Sequence, residues 1–364
     1  MKHRLFADRK RVAVALVLCL TLIALIPIAR LGFGWKRAID DVDAMIVTPV
    51  TLPATAQPTV RPSDAYDSSQ AVPLDGTPQP TDADPAPTAA PGELDPVNIL
   101  LLGTDARVGE DITRTDAMIL VHINPATNDV SVLSFPRDLW VSIPGMGKAR
   151  INAAYPMGEK QLGAGYGAAL AKETVSELVG VPIHHFVLIN FEGFRTIIDQ
   201  IGGIDIDVPR AIDDRAYPRD AFKGDTATIK IHFDAGMQHM DGEQALIYAR
   251  TRHADNDFGR NQRQQQMLTA VFEKVRKLGL LSQVAQIDSY TGALRDYIRT
   301  DISAGEMVRL GKVGSGLKPD DVQRFAIDSK MIVNLQGPAT FAADPEAMRQ
   351  IVEQMMAGEA SPPR

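Results

Sequence analysis

Acidic and basic side chains recur in close company within residues 98–138, NILLLGTDARVGEDITRTDAMILVHINPATNDVSVLSFPRD: Asp105 with Arg107, Arg114 with Asp116, Arg137 with Asp138. Arginine forks match phosphate oxygens in a bidentate way. Carboxylates repel phosphate unless a hard cation lies between them, and Mg²⁺ is commonly held by one or two carboxylates together with substrate phosphates. The mixture therefore points to a magnesium-bound pyrophosphate or phosphodiester. Surface salt bridges at loop ends, which are common and contribute little, fit the same residues equally well.

A second cluster lies in residues 241–279, DGEQALIYARTRHADNDFGRNQRQQQMLTAVFEKVRKLG. Its second half reads as a helix with an apolar stripe of Met267, Leu268, Val271, Val275 and Leu278. Arg260 and Gln264 stand at i and i+4 in the same row, so they extend the buried face at its N-terminal end. Burying an arginine is costly unless it is paired. The partner is either a carboxylate such as Asp257 or a phosphate ligand, and a helix N-terminus favours an anion. Arg250 and Arg252 lie just upstream and Arg263 is nearby. An internal Arg–Asp network is the alternative; a multivalent anion neutralises several guanidiniums more economically.

The elements that position the first cluster are three short apolar runs, residues 98–103, 117–123 and 130–135, each bounded by Gly, Pro, Asn or Asp and each read as a buried strand. The turn cluster NPATND joins the last two as a hairpin. In an antiparallel meander the end of the first, the start of the second and the end of the third share one rim. The charged pairs are on that rim.

The chain has 364 residues and a formal net charge of -7, so no basic field advertises nucleic-acid binding. Its one cysteine, Cys19, lies in an apolar N-terminal run, and no disulfide can staple the body. Lys2, Arg4, Arg9, Lys10 and Arg11 precede that uncharged run, residues 12–29, which is long enough to span a bilayer. The charge asymmetry orients the N-terminus to the cytoplasm and the body outside the cell membrane. A cleaved signal peptide is the rival, but its core is usually shorter and no A-x-A site follows; a single-pass anchor is favoured. Residues 48–96 are dominated by Pro, Thr, Ala and Asp and read as an extended, disordered stalk.

The expected layout is a tail over 1–11, an anchor over 12–34, a linker over 35–96, a catalytic body over 97–279, a helical and strand extension packed on or following it over 280–357, and a tail over 358–364. Within the body, GMGKA lacks the spacing of a phosphate-binding P-loop and the glycines of GAGYG lack dinucleotide spacing. Residues 163–180 predict a helix, HHFVLINF a strand, FEGFRTIIDQIGG a helix and IDIDV a strand. Residues 209–225 read as a charged loop, and 227–233 as a half-buried strand. His184 and His185 are neighbours on a strand and point to opposite faces, so they cannot jointly hold a metal. The extension offers helices over 303–313 and 345–356 and a strand over 322–327.

The segments NILLLGTDAR, RTDAMILV, SFPRDLWVSIPGMGKARINAAY, GGIDIDV and MDGEQALIYARTRHADNDFGRNQRQQQ, in that order, resemble the LytR-CpsA-Psr (LCP) family over residues 97–279. The resemblance implies an α/β/α sandwich with a mixed central β-sheet and an apolar pocket for a polyprenyl chain. It also implies Mg-dependent transfer of a glycopolymer with one phosphate from a polyprenyl-pyrophosphate carrier to a peptidoglycan hydroxyl. On this sequence it makes Asp105 and Asp116 the Mg²⁺ ligands. Arg114, Arg137, Arg250, Arg252, Arg260 and Gln264 become the pyrophosphate-holding set, with Arg107 a further candidate. Asp105, Asp116, Arg137, Arg250 and Arg252 are the residues expected to carry catalysis. Asp138 and Asp257 are candidates, by location, for a general base or for orienting an arginine. The chain has SFPRD where many relatives have SIPRD, which alters shape but no chemistry. Two other classes compete: a non-catalytic module that binds polyprenyl phosphate or wall polymer, and a membrane-bound transcriptional attenuator. An acidic domain outside the membrane does not reach DNA.

Overall fold

The computed structural model describes residues 35–53, 95–106, 114–127, 129–218, 227–251, 257–278, 292–316, 322–327, 330–334 and 341–358. Its centre is the expected meander: β1 (Val97–Thr104), β2 (Thr115–Asn124) and β3 (Asp129–Phe135), each antiparallel to the next. Leu100, Leu120 and Leu133 stand opposite one another and are fully buried on one face. Ile99, Val121 and Val132 form the matching row on the other. Strands apolar on both sides need cover on both sides.

After the meander come a hairpin, β4 (Trp140–Ile143) and β5 (Gly147–Arg150), then helix 166–179 and β6 (His185–Asn190), which runs parallel to β1. Two smaller ribbons follow: β7 (Ile204–Val208) pairs with β10 (Gly236–Met240), and β8 (Ile212–Pro218) pairs with β9 (Thr228–Phe233). Strands β11 (Ile298–Thr300) and β12 (Val322–Ala326) complete a six-stranded mixed sheet in the order β11-β6-β1-β2-β3-β12. A last ribbon joins β13 (Ile332–Asn334) to β14 (Phe341–Ala343).

The longer helices among the described residues are α1 (Trp35–Met45), α2 (Tyr166–Val179), α3 (Phe191–Gln200), α4 (Gly242–Arg250), α5 (Asp257–Leu278), α6 (Ala304–Gly316) and α7 (Pro345–Ala357). Helices α1, α3, α4, α5 and α6 bury Met45, Ile198, Tyr248, Met267 and Leu310 against the Ile99 face. Helices α2 and α7 bury Leu170 and Met355 against the Leu100 face. Local chemistry sets several of the ends. The Asn190 side chain accepts from Gly193 N at the start of α3, and Asp241 with Gln244 forms a capping box on α4. Helix α2 ends at Gly180, whose left-handed φ of 73° suits glycine.

Three boundaries differ from the sequence reading. Residues 35–53, counted with the linker, are packed: Val42 and Met45 of α1 and Leu52 enter the core, and Ile46 bridges Thr300. The extension after residue 279 supplies both edge strands of the central sheet, so it is part of the same body and does not follow it. Part of the charged loop is strand β8, which pairs across a register shift. The anchor expected over 12–34 and residues 54–94 of the expected stalk lie outside the described residues. Among the described residues no helix is long and apolar enough to cross a membrane.

Candidate functional site

The rim forms where the meander ends. Gly103 pairs with Ala117 and Thr104 with Thr115, so the register shift leaves Asp116 as the extra residue of β2, at the edge where Asp105 follows the end of β1. Thr104 Oγ1 accepts from Ala106 N at 3.2 Å and donates to the Arg114 carbonyl at 3.2 Å, which pins the two strand ends together. Met118 pairs with Phe135, bringing the end of β3 to the start of β2. Arg137 Nη1 then donates to Asp116 Oδ1 at 2.7 Å, with the two side chains 18% and 28% exposed. Asp138 sits between two guanidiniums, 3.5 Å from Arg137 Nε and 3.4 Å from Arg150 Nη1.

Behind this rim opens a cleft. Asp116, Arg137, Arg250, Arg260 and Gln264 line its polar part, and Ile119, Ile189, Phe194, Leu246, Met267 and Leu268 its apolar part. Helix α5 behaves as its wheel predicts: Arg260 is buried, Gln264 half-buried, and both border the cleft in line with Met267. Arg250, at the last position of α4, lies 4.6 Å from the centroid of the Phe191 ring and 5.7 Å from that of Tyr217. Its Nη1 also donates to the Tyr217 hydroxyl at 3.2 Å. Burial pushes the Tyr217 phenol above its usual range, with Arg250 opposing the shift, so the hydroxyl stays neutral at neutral pH.

The predicted residues are therefore not all in one place. Asp116, Arg137, Arg250, Arg260 and Gln264 line the cleft; Asp105 is half-buried at the rim, and Arg114 is exposed beside it. Asp138 flanks Arg137 from outside the cleft lining. Arg107 and Arg252 lie outside the described residues, as does the side chain of Asp257, whose backbone opens α5. Asp116 lines the cleft and Asp105 stands half-buried at the rim, and Mg²⁺ is commonly held by one or two carboxylates completed by ligand phosphates. Among the described residues no three His, Cys, Asp or Glu side chains are grouped to hold a metal by themselves. A cation here would depend on its ligand.

Sequence reasoning missed Asp214, Tyr217, Phe191 and Thr251. Asp214 and Tyr217 both line the cleft although they stand three positions apart on one strand, an offset that alternation would send to opposite faces. The register shift between them re-aims the second half of β8. A run that breaks period two gives no strand signal. Arg263, noted only as a neighbour, is buried and donates through Nε to the Tyr248 carbonyl at 3.0 Å. It is an internal arginine that grips the backbone carbonyls of Tyr248 and Thr251.

A mixed α/β domain with guanidiniums at the mouth of an apolar cleft is suited to a molecule with an anionic head and a hydrocarbon tail. The sequence profile of the LytR_cpsA_psr family matches residues 69–357, and the chain belongs to that family. It is 37% identical over 220 residues to the polyisoprenyl-teichoic acid–peptidoglycan teichoic acid transferase TagU of Oceanobacillus iheyensis, covering 60% of this chain and 62% of that protein. It is 33% identical over 239 residues to the transferase of the same description, TagV, of Bacillus subtilis (strain 168), covering 64% of this chain and 56% of that one. The crystal structure of B. subtilis TagV superposes with a TM-score of 0.56 at 29% identity, covering 74% of this chain and 99% of that chain. The match thus spans less than two thirds of the length of these two relatives.

Proposed function

We propose that this protein transfers a glycopolymer phosphate from a polyprenyl-pyrophosphate carrier to a hydroxyl of peptidoglycan. The teichoic acids named for its relatives indicate the polymer class. One observation carries the reading: Arg137, Arg250, Arg260 and Gln264 share a single cleft with a hydrocarbon wall. Neither half alone asks for this ligand. Guanidiniums on a bare surface would serve any anion, and an apolar cleft any lipid; together they match a prenyl chain joined to a diphosphate.

In the reaction the acceptor oxygen bonds to the phosphorus that bears the glycopolymer. The bridging P–O bond breaks, polyprenyl monophosphate leaves, and the hydroxyl proton passes to a base at the mouth. Arg137, Arg250 and Arg260 hold the phosphate oxygens and offset the charge that grows as the anhydride opens. Asp105 and Asp116 would hold Mg²⁺, which supplies further neutralisation across the diphosphate when bound. Arg107, Arg114 and Arg252 extend the cationic set. The position of Asp138 between Arg137 and Arg150 favours an orienting role over that of the base. The N-terminal anchor would place the body outside the cell membrane, where peptidoglycan lies.

The test is mass spectrometry of lipid extracted with the purified full-length protein. Polyprenyl phosphate or pyrophosphate is the expected passenger. A protein that carries only membrane phospholipid contradicts the reading.

A further inference from the structure

The end of α4 is gripped more firmly than a helix terminus requires. Terminal carbonyls are ordinarily met by water, glycine turns or surface side chains. Here Thr251, the C-cap residue just after Arg250, is fully buried, and its hydroxyl donates to Asp214 Oδ2 at 2.6 Å. Asp214 is itself only 1% exposed, and its other oxygen accepts from Ala216 N at 2.9 Å, inside the bulge of β8. From the opposite side the buried Arg263 donates to the Thr251 carbonyl. A buried carboxylate and a buried guanidinium thus close on one residue.

Burying such groups is a poor way to gain stability, since their desolvation offsets much of the attraction between them. What they provide is a fixed position. The same bulge that turns Asp214 toward Thr251 leaves Tyr217 facing the cleft, where it meets Arg250 itself. The Arg250 guanidinium lies over the Phe191 ring, 4.6 Å from its centroid, and donates to the Tyr217 hydroxyl at 3.2 Å, so it is held from two sides. The backbone is held one residue later by Thr251.

We infer that Asp214, Tyr217 and Thr251 are positioning residues that fix where Arg250 meets the diphosphate of the donor. This rests on the function proposed above and deepens it. None of the three is asked to exchange a proton or to bond to phosphorus. A guanidinium on a mobile stem loses entropy when it binds, and one already held by a ring contact and a hydrogen bond loses less. Affinity for the diphosphate should therefore depend on hydroxyl groups that need not touch it.

The probe is inorganic pyrophosphate with magnesium, titrated calorimetrically into the full-length chain, alongside a thermal melt of each variant. Tyr217→Phe and Thr251→Val each remove one hydrogen bond at constant shape and are expected to weaken binding about tenfold. Thr251→Ser, which keeps the hydroxyl, restores most of the affinity even where its melting midpoint falls with that of Thr251→Val. Wild-type affinity in both Tyr217→Phe and Thr251→Val overturns the inference, as does equal weakening in the Ser and Val variants. A wild-type chain that does not bind pyrophosphate overturns it too. If the wild type binds pyrophosphate and the variants lose it, but no transfer is detected, the clamp stands and the transferase reading fails. If transfer proceeds and the variants bind normally, the clamp alone fails.

Discussion

Arg137 reaches from the turn after β3 to Asp116 at the start of β2, and Nη1 to Oδ1 is 2.7 Å. Both side chains remain partly exposed, and an ion pair of that kind contributes about 0–1 kcal/mol to stability. Its place at the mouth of an apolar cleft is more informative than its strength. In the proposed function this carboxylate orients a phosphate-binding arginine and would also accept a cation.

Asp116→Asn separates those uses. Transfer is expected to fall by about a hundredfold or more, because Arg137, which offsets the developing charge, loses its carboxylate partner, and the proposed cation loses a ligand. The melting midpoint should stay near that of the wild type. A stability loss that accounts for the activity loss would show the pair to be structural.

Arg250→Lys keeps the charge and removes both the planar fork and the stack on Phe191. Transfer should drop about tenfold or more on that account. A lysine variant with wild-type kinetics would mean that Arg250 acts as a point charge only.

Truncation after residue 279 removes β11 and β12, the two edges of the central sheet, and with β11 the buried Asp301. Asp301 accepts from Phe186 N at 2.8 Å and from Lys172 Nζ at 2.6 Å, which ties the late part of the chain to β6. The shortened chain should show no cooperative melt by circular dichroism. A sharp transition near the full-length midpoint would restore a domain boundary at 279.

Acid should destabilise the fold through two histidines. Burial lowers the pKa of His122 and of His184 below their ordinary value of 6.5, and neighbouring positive charges reinforce the shift. Asn98 links them, accepting at Oδ1 from the His122 ring at 2.8 Å and donating its backbone N–H to His184 Nδ1 at 2.9 Å, a bond that requires that nitrogen unprotonated. As pH falls below 6.5 the unfolded chain takes up protons first, so stability present above that value declines toward the lowered folded-state pKa values. Asp301 and Glu306 are shifted below ordinary values of 3.8 and 4.5, so their contribution is lost only at lower pH still. Urea titrations between about pH 7.5 and about pH 5 should show this slope in the wild type and a shallower one in His184→Gln. Stability that is flat or rising on acidification across that window contradicts the account.

The sequence made the rim legible because three Leu/Ile/Val runs with turn residues between them admit one simple arrangement, and Asp116 and Arg137 follow from it. The stripe on α5 was legible too, since Arg260, Gln264 and Met267 share a helical row. Strand β8 was not, because its register shift destroys the alternation by which strands are recognised. Asp214 and Tyr217 were hidden with it. Residues 322–327 read as a strand, which is β12, and β11 is too short to be read, but the place of each in the sheet depends on partners far away in sequence, β3 and β6. Nothing local marks Arg263 as structural; its place against the end of α4, three positions on from Arg260, decides it.

The most direct test supplies the full-length protein with a polyprenyl-pyrophosphate-linked glycopolymer and peptidoglycan, and follows release of polyprenyl monophosphate. The wild type should release it in step with attachment of polymer to the acceptor, and Arg137→Ala should release none above background. Release at the wild-type rate by Arg137→Ala would contradict the proposal that this cleft is where the anhydride is opened.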